Sequence, residues 1–268
     1  MLKFFAILFL LAAVIVSAGC QTSTELDPSQ FLPMLRQEFE PFNEFYGNEI
    51  EPFHAEIHWF FNPNQTLTLA NTVVSSDFKS ARITLSHIPT PDEGNASLEK
   101  ESFIIAHELA SLVIAPKLQK GWDIQCGNAG LGFQVFDMIR TPLRDHILAE
   151  YGFDVDSNYQ WYLQREIISS PCIMRTDPLS VHWAACRYVW HALYWQYVLG
   201  NHGVAPELAS FCQRCAPNIQ EEGLDILNMI NGIGGIGNIT SDNAKALYEQ
   251  LINKYSLDCH IVTFSQGQ

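Results

Sequence analysis

The spacing of apolar residues changes from strand-like to helix-like about a third of the way along the chain. Residues 53–59 alternate apolar and polar side chains, which predicts a half-buried strand. Residues 66–74 and 82–88 are rich in Thr, Val, Ile and Leu and predict two further short strands. From Ser97, a suitable N-cap, the pattern becomes helical and continues to Ala115, because Pro116 is expected to end the helix.

Helical spacing dominates the rest of the sequence. Near the start, Asp27 and Pro28 have the order of an N-cap and a first helical residue, and Pro33 and Pro41 are expected to interrupt the helical segment that follows. The later segments predicted to be helical are 133–139, 142–151, 159–168, 180–199, 217–230 and 241–255. The 180–199 helix has apolar residues nearly all round and is expected to be buried.

These elements predict an α+β fold. A small N-terminal sheet of about three strands should pack on the helix that begins near Ser97, and a mostly helical C-terminal half should follow. With 268 residues, 47% of them hydrophobic, the chain has enough apolar material for one domain over residues 28–268. The 15 basic and 29 acidic residues give a formal charge of −14, which argues against nucleic acid as a partner.

The first residues have the pattern of a targeting segment. Lys3 is followed by an uninterrupted apolar run and by small residues that lead into Cys20, so residues 1–19 resemble a bacterial lipoprotein signal peptide. In such signals the cysteine is lipidated, which implies a cell-envelope, extracytoplasmic protein held to the membrane through Cys20. Residues 20–27 then read as a polar tether. A plain secretory signal cleaved nearby is the alternative.

The cysteine count agrees with an oxidising compartment. Of seven cysteines, six remain when Cys20 is set aside, and these could pair completely. Six cysteines allow 15 connectivities, so the sequence assigns none. Cys212 and Cys215 have the spacing of half a zinc knuckle or of a redox pair, but structural disulfides or inert thiols are favoured, because a second Cys-x-x-Cys is missing.

The helix that follows the three strands contains the residues of greatest chemical interest. Ala106-His107-Glu108-Leu109 resembles the active-site helix of the zincin metallopeptidases, in which His-Glu-x-x-His places two imidazoles on one helix face. The resemblance covers residues 50–115 and implies zinc as cofactor, His107 as a zinc ligand and Glu108 as the general base. The second imidazole is replaced by Ser111, whose neutral hydroxyl is a poor zinc ligand.

Other polar residues are weaker candidates for a metal site. A zincin needs a third ligand downstream, for which Asp137, Asp145 and His146 are candidates, although a helix-face or capping role for the aspartates and a solvated histidine are favoured over ligation. The polar side of the first strand carries His54, Glu56 and His58, and a solvated sheet face accounts for them. His182 and Cys186 lie one helical turn apart and could form a pair of ligands, but core packing is favoured. The glycines of residues 232–237 follow a helix instead of the strand that a dinucleotide motif requires.

Three functions remain open. The first, preferred here, is a degenerate zincin-like domain that binds a peptide or an envelope partner with little or no catalysis. The second is an active zinc metallopeptidase with a non-standard ligand set and Glu108 as its base. In the third, the protein is a structural lipoprotein and the His-Glu pair is a hydrogen-bonded pair without chemistry.

Overall fold

The computed structural model describes residues 23–64, 70–90, 94–127, 129–168 and 178–264. The predicted signal peptide, Cys20 and Cys172 lie outside these residues. The predicted α+β architecture is confirmed, since a four-stranded sheet in the N-terminal part precedes a mostly helical C-terminal half.

The N-terminal sheet has a mixed topology. Its strands are β1 (Thr24–Leu26), β2 (Glu56–Phe61), β3 (Ala70–Val74) and β4 (Ser80–Leu85), in the spatial order β1-β2-β4-β3. The central pair, β2 and β4, is parallel, and the two outer strands are antiparallel to their neighbours. Among the described strands, β3 therefore forms one edge of this sheet.

Strand β1 corrects the predicted tether. The sequence predicts an unstructured polar segment over residues 20–27, but Thr24–Leu26 pairs with β2. Antiparallel pairing uses backbone groups, so exposed polar side chains such as Glu25 do not prevent it. With β1, the sheet has four strands instead of the three predicted.

The segment between β1 and β2 is helical and interrupted, as predicted. Asp27 accepts a hydrogen bond from the Ser29 amide (2.9 Å) and caps a 3₁₀ turn at Pro28–Gln30. The prolines at 33 and 41 lie in the first turns of two short helices. These helices are α1 (Leu32–Glu38) and α2 (Glu40–Phe45), and they are followed by a π turn at Tyr46–Ile50 and a 3₁₀ turn at Glu51–Phe53.

Two long helices, α3 (Asn95–Leu118) and α4 (Ala129–Glu150), pack against each other, and α3 also packs against the sheet. The predicted start and end of α3 are wrong, because Gly94 is the N-cap and the helix continues past Pro116. A proline in the last turn removes only one backbone hydrogen bond, and burial of Leu118 favours the extra turn. Helix α4 likewise passes through Pro142 and joins two helices that were predicted separately.

Further helices form the C-terminal half. They are α5 (Val155–Leu163), α6 (Pro178–Leu193), α7 (Pro206–Cys215), α8 (Pro217–Gly232) and α9 (Ser241–Lys254), with π turns at Gln164–Ile168 and Tyr194–Val198 and a 3₁₀ turn at Ile236–Asn238. Helix α6 is buried along Ala185, Val189 and Trp190, as its pattern predicted. The glycine-rich segment directly follows helix α8, so it lacks the strand–turn–helix order of a dinucleotide site.

A second, two-stranded sheet was not predicted. Strands β5 (Trp122–Cys126) and β6 (Cys259–Thr263) pair antiparallel, and a disulfide joins Cys126 to Cys259. These strands are 133 residues apart in sequence, so their pairing depends on contacts that local patterns do not report.

The expectation that six cysteines pair completely is wrong. Cys215 is disulfide-bonded, but Cys186 and Cys212 are buried free thiols, so Cys212 and Cys215 are not a redox pair. Burial raises the pKa of Cys186 to about 12 and the pKa of Cys212 to about 11. Both therefore correspond to the inert thiols of the sequence interpretation.

None of the described helices is both long and apolar enough to cross a membrane.

The apolar core runs continuously from the sheet face at Trp59 and Ile83, through Leu109 on α3 and Ile139 on α4, to Trp190 on α6. Apolar packing on either side therefore fixes the positions of α3 and α4, whose interface contains polar residues.

We expect the double variant Cys126→Ser/Cys259→Ser to be less stable than the wild type. Chain-entropy estimates for a loop of this length give up to about 5 kcal/mol. Denaturant unfolding without reductant measures the loss. Because reductant also breaks the Cys215 disulfide, wild type should lose more stability on reduction than the double variant does; equal losses would contradict a stabilising role for the Cys126–Cys259 bond.

Candidate functional site

Glu108 is held between helix α3 and the edge strand β3. Its side chain is 8% exposed, and the Thr72 hydroxyl donates to Glu108 Oε2 at 2.7 Å. On the other side, His107 Nδ1 lies 3.4 Å from Glu108 Oε1. The two predicted site residues therefore share one polar cluster, to which the sheet contributes Thr72.

Asp145 on α4 approaches His107 from the opposite side. The distance from His107 Nε2 to Asp145 Oδ1 is 3.5 Å, which is an ion-pair distance but not a hydrogen bond, and Asp145 Oδ1 has no hydrogen-bond partner among the described residues. The ring of His107 also stacks against Phe103. Of the three candidates for a third ligand, Asp145 is the one that lies beside His107.

The other two candidates are used differently. Asp137 lies 3.8 Å from the guanidinium of Arg144. The ring of His146 packs on Tyr197 at 4.1 Å between centroids, and its Nε2 is 3.8 Å from Glu150. His146 is thus partly exposed and packed on an aromatic ring, away from the His107 cluster.

Ser111, at the position of the missing imidazole, faces an arginine. Arg144 Nη1 donates to the fully buried Ser111 hydroxyl at 3.1 Å, and Arg144 Nη2 donates to Thr141 at 2.9 Å. The Arg144 side chain is itself 7% exposed. A buried, permanently charged guanidinium therefore lies on the helix face where the zincin pattern requires a second metal ligand.

A second arginine lies one turn earlier on the same helix. Arg140 lines the same cavity as Arg144, and it has neither a hydrogen bond nor an ion pair within 4 Å to any described residue. Burial lowers the pKa of Arg140, and repulsion from Arg144 lowers it further, while Asp137 and Glu108 act in the opposite direction.

These groups surround a cavity of about 1150 Å³. His107, Glu108 and Asp145 lie in its wall, and the edge strand contributes Ala70, Asn71 and Thr72. Aromatic side chains form much of the remaining wall; they include Phe39, Phe103, Phe153, Trp161 and Trp183. An apolar cavity with a few convergent polar groups is the usual form of a ligand site.

The two buried carboxyl groups are shifted in opposite directions. Burial opposes the ionisation of Glu108, but contacts with His107, Arg144 and Thr72 outweigh it and lower the pKa to about 2. Burial raises the pKa of Asp145, and the charges of His107 and Arg144 only partly offset this. A carboxylate with a pKa near 2 is a weak proton acceptor, whereas an effective general base has a pKa near the working pH.

The remaining predicted clusters are not brought together as metal sites. His54 lies outside strand β2 in a left-handed conformation, and Glu56 and His58 are exposed, 3.5 Å apart. His182 Nδ1 contacts Glu222 at hydrogen-bond distance, and Cys186 is a buried thiol. Within the described ranges, no group of three or more His, Cys, Asp and Glu side chains has the arrangement of a metal site.

Sequence reasoning missed Thr72, Arg140 and Arg144. The sequence did contain a signal for the two arginines. In α4, Asp137, Arg140 and Arg144 recur at intervals of three and four within an apolar helix and so form a polar stripe. No comparable signal marks Thr72, because threonine is an ordinary strand residue.

Comparison with known proteins leaves the resemblance as a hypothesis. The chain matches no protein family model, no curated protein and no solved structure at a significant level.

We predict that Glu108→Gln and Asp145→Asn change stability in opposite directions at neutral pH. The folded-state pKa of Glu108 is lowered, so its contribution is present above its ordinary value of 4.5 and disappears as the pH falls towards 2. Asp145 has a raised pKa, so its carboxylate destabilises the fold at neutral pH, and this cost decreases as acid protonates it.

Thermal unfolding of both variants and wild type from neutral to acidic pH measures these effects. Glu108→Gln should lower the melting temperature at neutral pH and reduce the acid-induced loss. Asp145→Asn should raise the melting temperature at neutral pH, and the gain should shrink on acidification. Equal shifts in the same direction would contradict the opposite electrostatic roles of the two acids.

Proposed function

We propose that this chain is a degenerate zincin-like domain that binds an extended peptide in the cavity beside β3 with little or no catalysis. In this proposal Cys20 is lipidated and holds the domain to a membrane of the cell envelope, on its extracytoplasmic side. The residues around His107 and the outer edge of β3, which pairs with no strand that the structure describes, support this proposal.

Part of a zinc-site geometry is consistent with such an ancestry. Two ligands bonded to one tetrahedral zinc at about 2.0–2.2 Å lie about 3.3–3.5 Å apart, and His107 Nε2 and Asp145 Oδ1 are separated by 3.5 Å. This spacing is also the one observation that favours the alternative of an active metallopeptidase.

The donor set as a whole does not fit a peptidase zinc. Catalytic zinc sites use three protein ligands, and the hydroxyl of Ser111, the residue at the position of the second imidazole, accepts a hydrogen bond from Arg144. A dication beside His107 would also be repelled by the charges of the buried Arg144 and the partly buried Arg140. The hydrogen bond from Arg144 to Ser111 is the observation that carries the non-catalytic part of the proposal.

The edge strand supports peptide binding. Among the described residues no strand pairs with the outer side of β3, and three β3 residues, Ala70, Asn71 and Thr72, line the cavity. The unpaired N–H and C=O groups of an edge strand can bind an extended peptide as an additional strand. The apolar and aromatic wall of the cavity would then take the peptide side chains. A purely structural protein would have no need for an open cavity at this point.

Zinc content tests the non-catalytic part. We expect purified wild type to contain much less than one equivalent of zinc. Ser111→His alone should bind little, because Arg144 remains opposite the new imidazole, whereas Ser111→His/Arg144→Met should approach one equivalent. Elemental analysis after dialysis against zinc gives the stoichiometry.

Arg214→Met combined with Ser111→His is the matched control, since Arg214 is an exposed arginine outside the cavity. Its zinc content should equal that of Ser111→His. Stoichiometric zinc in wild type that is lost in His107→Ala would overturn the proposal in favour of the metallopeptidase.

Peptide binding is tested with an acetylated pentapeptide of alternating phenylalanine and serine. We expect it to bind, and the same peptide N-methylated at alternate residues to bind at least about tenfold more weakly, because N-methylation removes the donors that pair with a strand edge. Isothermal titration calorimetry measures both. Equal affinity of the two peptides would exclude strand addition along β3.

A further inference from the structure

Arg140 and Arg144 together form a cationic pocket whose positive charge the protein only partly neutralises. The two residues are one turn apart on α4, and both line the cavity. Arg144 is committed, because it donates to Ser111 and Thr141 and lies near Asp137. A guanidinium carries five N–H donors, and Arg140 uses none of them with a described residue.

The nearby carboxylates are engaged elsewhere. Glu108 accepts from Thr72 and contacts His107. Asp137 is closest to Arg144, and Asp145 approaches His107. None of them makes a direct ion pair with Arg140, although Asp137 and Glu108 act on it through space.

Holding two guanidinium groups one turn apart in a partly buried place is unfavourable. Repulsion from Arg144 contributes to the lowered pKa of Arg140, after the larger effect of burial. Arg140 is partly buried, and none of the described carboxylates pairs with it directly, so an anion in contact with it would offset part of the cost of desolvating its charge. Arginine pairs with carboxylates through two parallel N–H···O bonds, so a carboxylate matches this geometry.

We propose that Arg140 is the anchor of a carboxylate-binding subsite in the cavity, and that the bound peptide carries this carboxylate at its C-terminus or on an acidic side chain. This inference deepens the proposed peptide-binding function and in its peptide form rests on it. The guanidinium carbon of Arg140 lies 6.0 Å from the centre of the Phe136 ring, and Phe103 and Phe153 line the same cavity, so the ligand should carry an apolar group as well as the carboxylate.

Four probes separate the sources of the carboxylate. The first is the acetylated phenylalanine–serine pentapeptide as a free acid, and the second is its C-terminal amide. The third is the amidated peptide with an aspartate in place of the central residue, which tests an acidic side chain. The fourth is 3-phenylpropanoate, an aromatic carboxylate that requires no strand pairing.

We expect the free acid to bind at least about tenfold more tightly than the amide, with the advantage lost in Arg140→Met and partly kept in Arg140→Lys. If the carboxylate belongs to a side chain, the aspartate peptide should show the advantage instead. Arg214→Met, a change to an exposed arginine, should leave every affinity unchanged. Isothermal titration calorimetry on the full chain gives the dissociation constants.

Stability distinguishes a binding role from a structural one. Arg140→Met removes one of two repelling charges, so the melting temperature of the ligand-free protein should stay the same or rise, and the stabilisation of wild type by 3-phenylpropanoate should disappear. A fall in melting temperature together with unchanged affinity for the acids would assign Arg140 a structural role and overturn the inference.

The probes also separate this inference from the proposed function. Arg140-dependent binding of 3-phenylpropanoate without binding of any peptide would support the carboxylate subsite and refute the peptide function. Binding of acid and amide peptides with equal affinity would refute the carboxylate subsite and leave the peptide function standing. If none of the acids binds, the carboxylate inference is wrong.

Discussion

The structure around the site depends on how the charge of Arg144, which is buried between α3 and α4, is balanced. A buried guanidinium is tolerated only when its donors are bound and its charge is balanced. Arg144 donates to Ser111 and Thr141, and carboxylates of both helices lie near it. Removing Arg144 would leave the charges of Glu108 and Asp137 less compensated, so the polar groups between α3 and α4 depend on one another.

The same polar groups explain why the pKa values of two acids in one cavity are shifted in opposite directions. Glu108 lies where a hydroxyl, an imidazole and a guanidinium all favour its ionised form, so its pKa falls to about 2 despite burial. Asp145 has a raised pKa because burial exceeds the help it receives from His107 and Arg144. A side chain that is permanently ionised in this way serves to hold structure and charge in place more readily than to exchange protons.

The position of Ser111 illustrates how a metal site and an organic cation exclude each other. In the proposed zincin-like ancestry, zinc would balance the charge of the acidic residues, whereas here the guanidinium of Arg144 lies near Glu108 and Asp137. Under the proposed function this exchange stabilises the cleft without metal, and it leaves the neighbouring Arg140 free to meet an anionic ligand. The cavity and the edge of β3 then serve recognition.

Several features of this protein followed from the sequence alone, because they depend on local chemistry. Alternation and helical spacing predicted the α+β arrangement, and the chain order of β2, β3, β4 and α3 came from the same patterns. His107 and Glu108 were recognisable because they are consecutive residues of one short motif, which can be identified without knowledge of the fold. Asp145 could be named only as one of three candidates.

Only the tertiary structure decided which distant residues meet. Pairing of β1 with β2, the sheet of β5 and β6 and the Cys126–Cys259 disulfide join segments whose own patterns do not identify their partners. The contact of Arg144 with Ser111 joins residues 33 positions apart, and its meaning depends on burial that no local pattern records. Sequence periodicity specifies which face of a helix is polar, but the packing of α3 on α4 determines what that face touches.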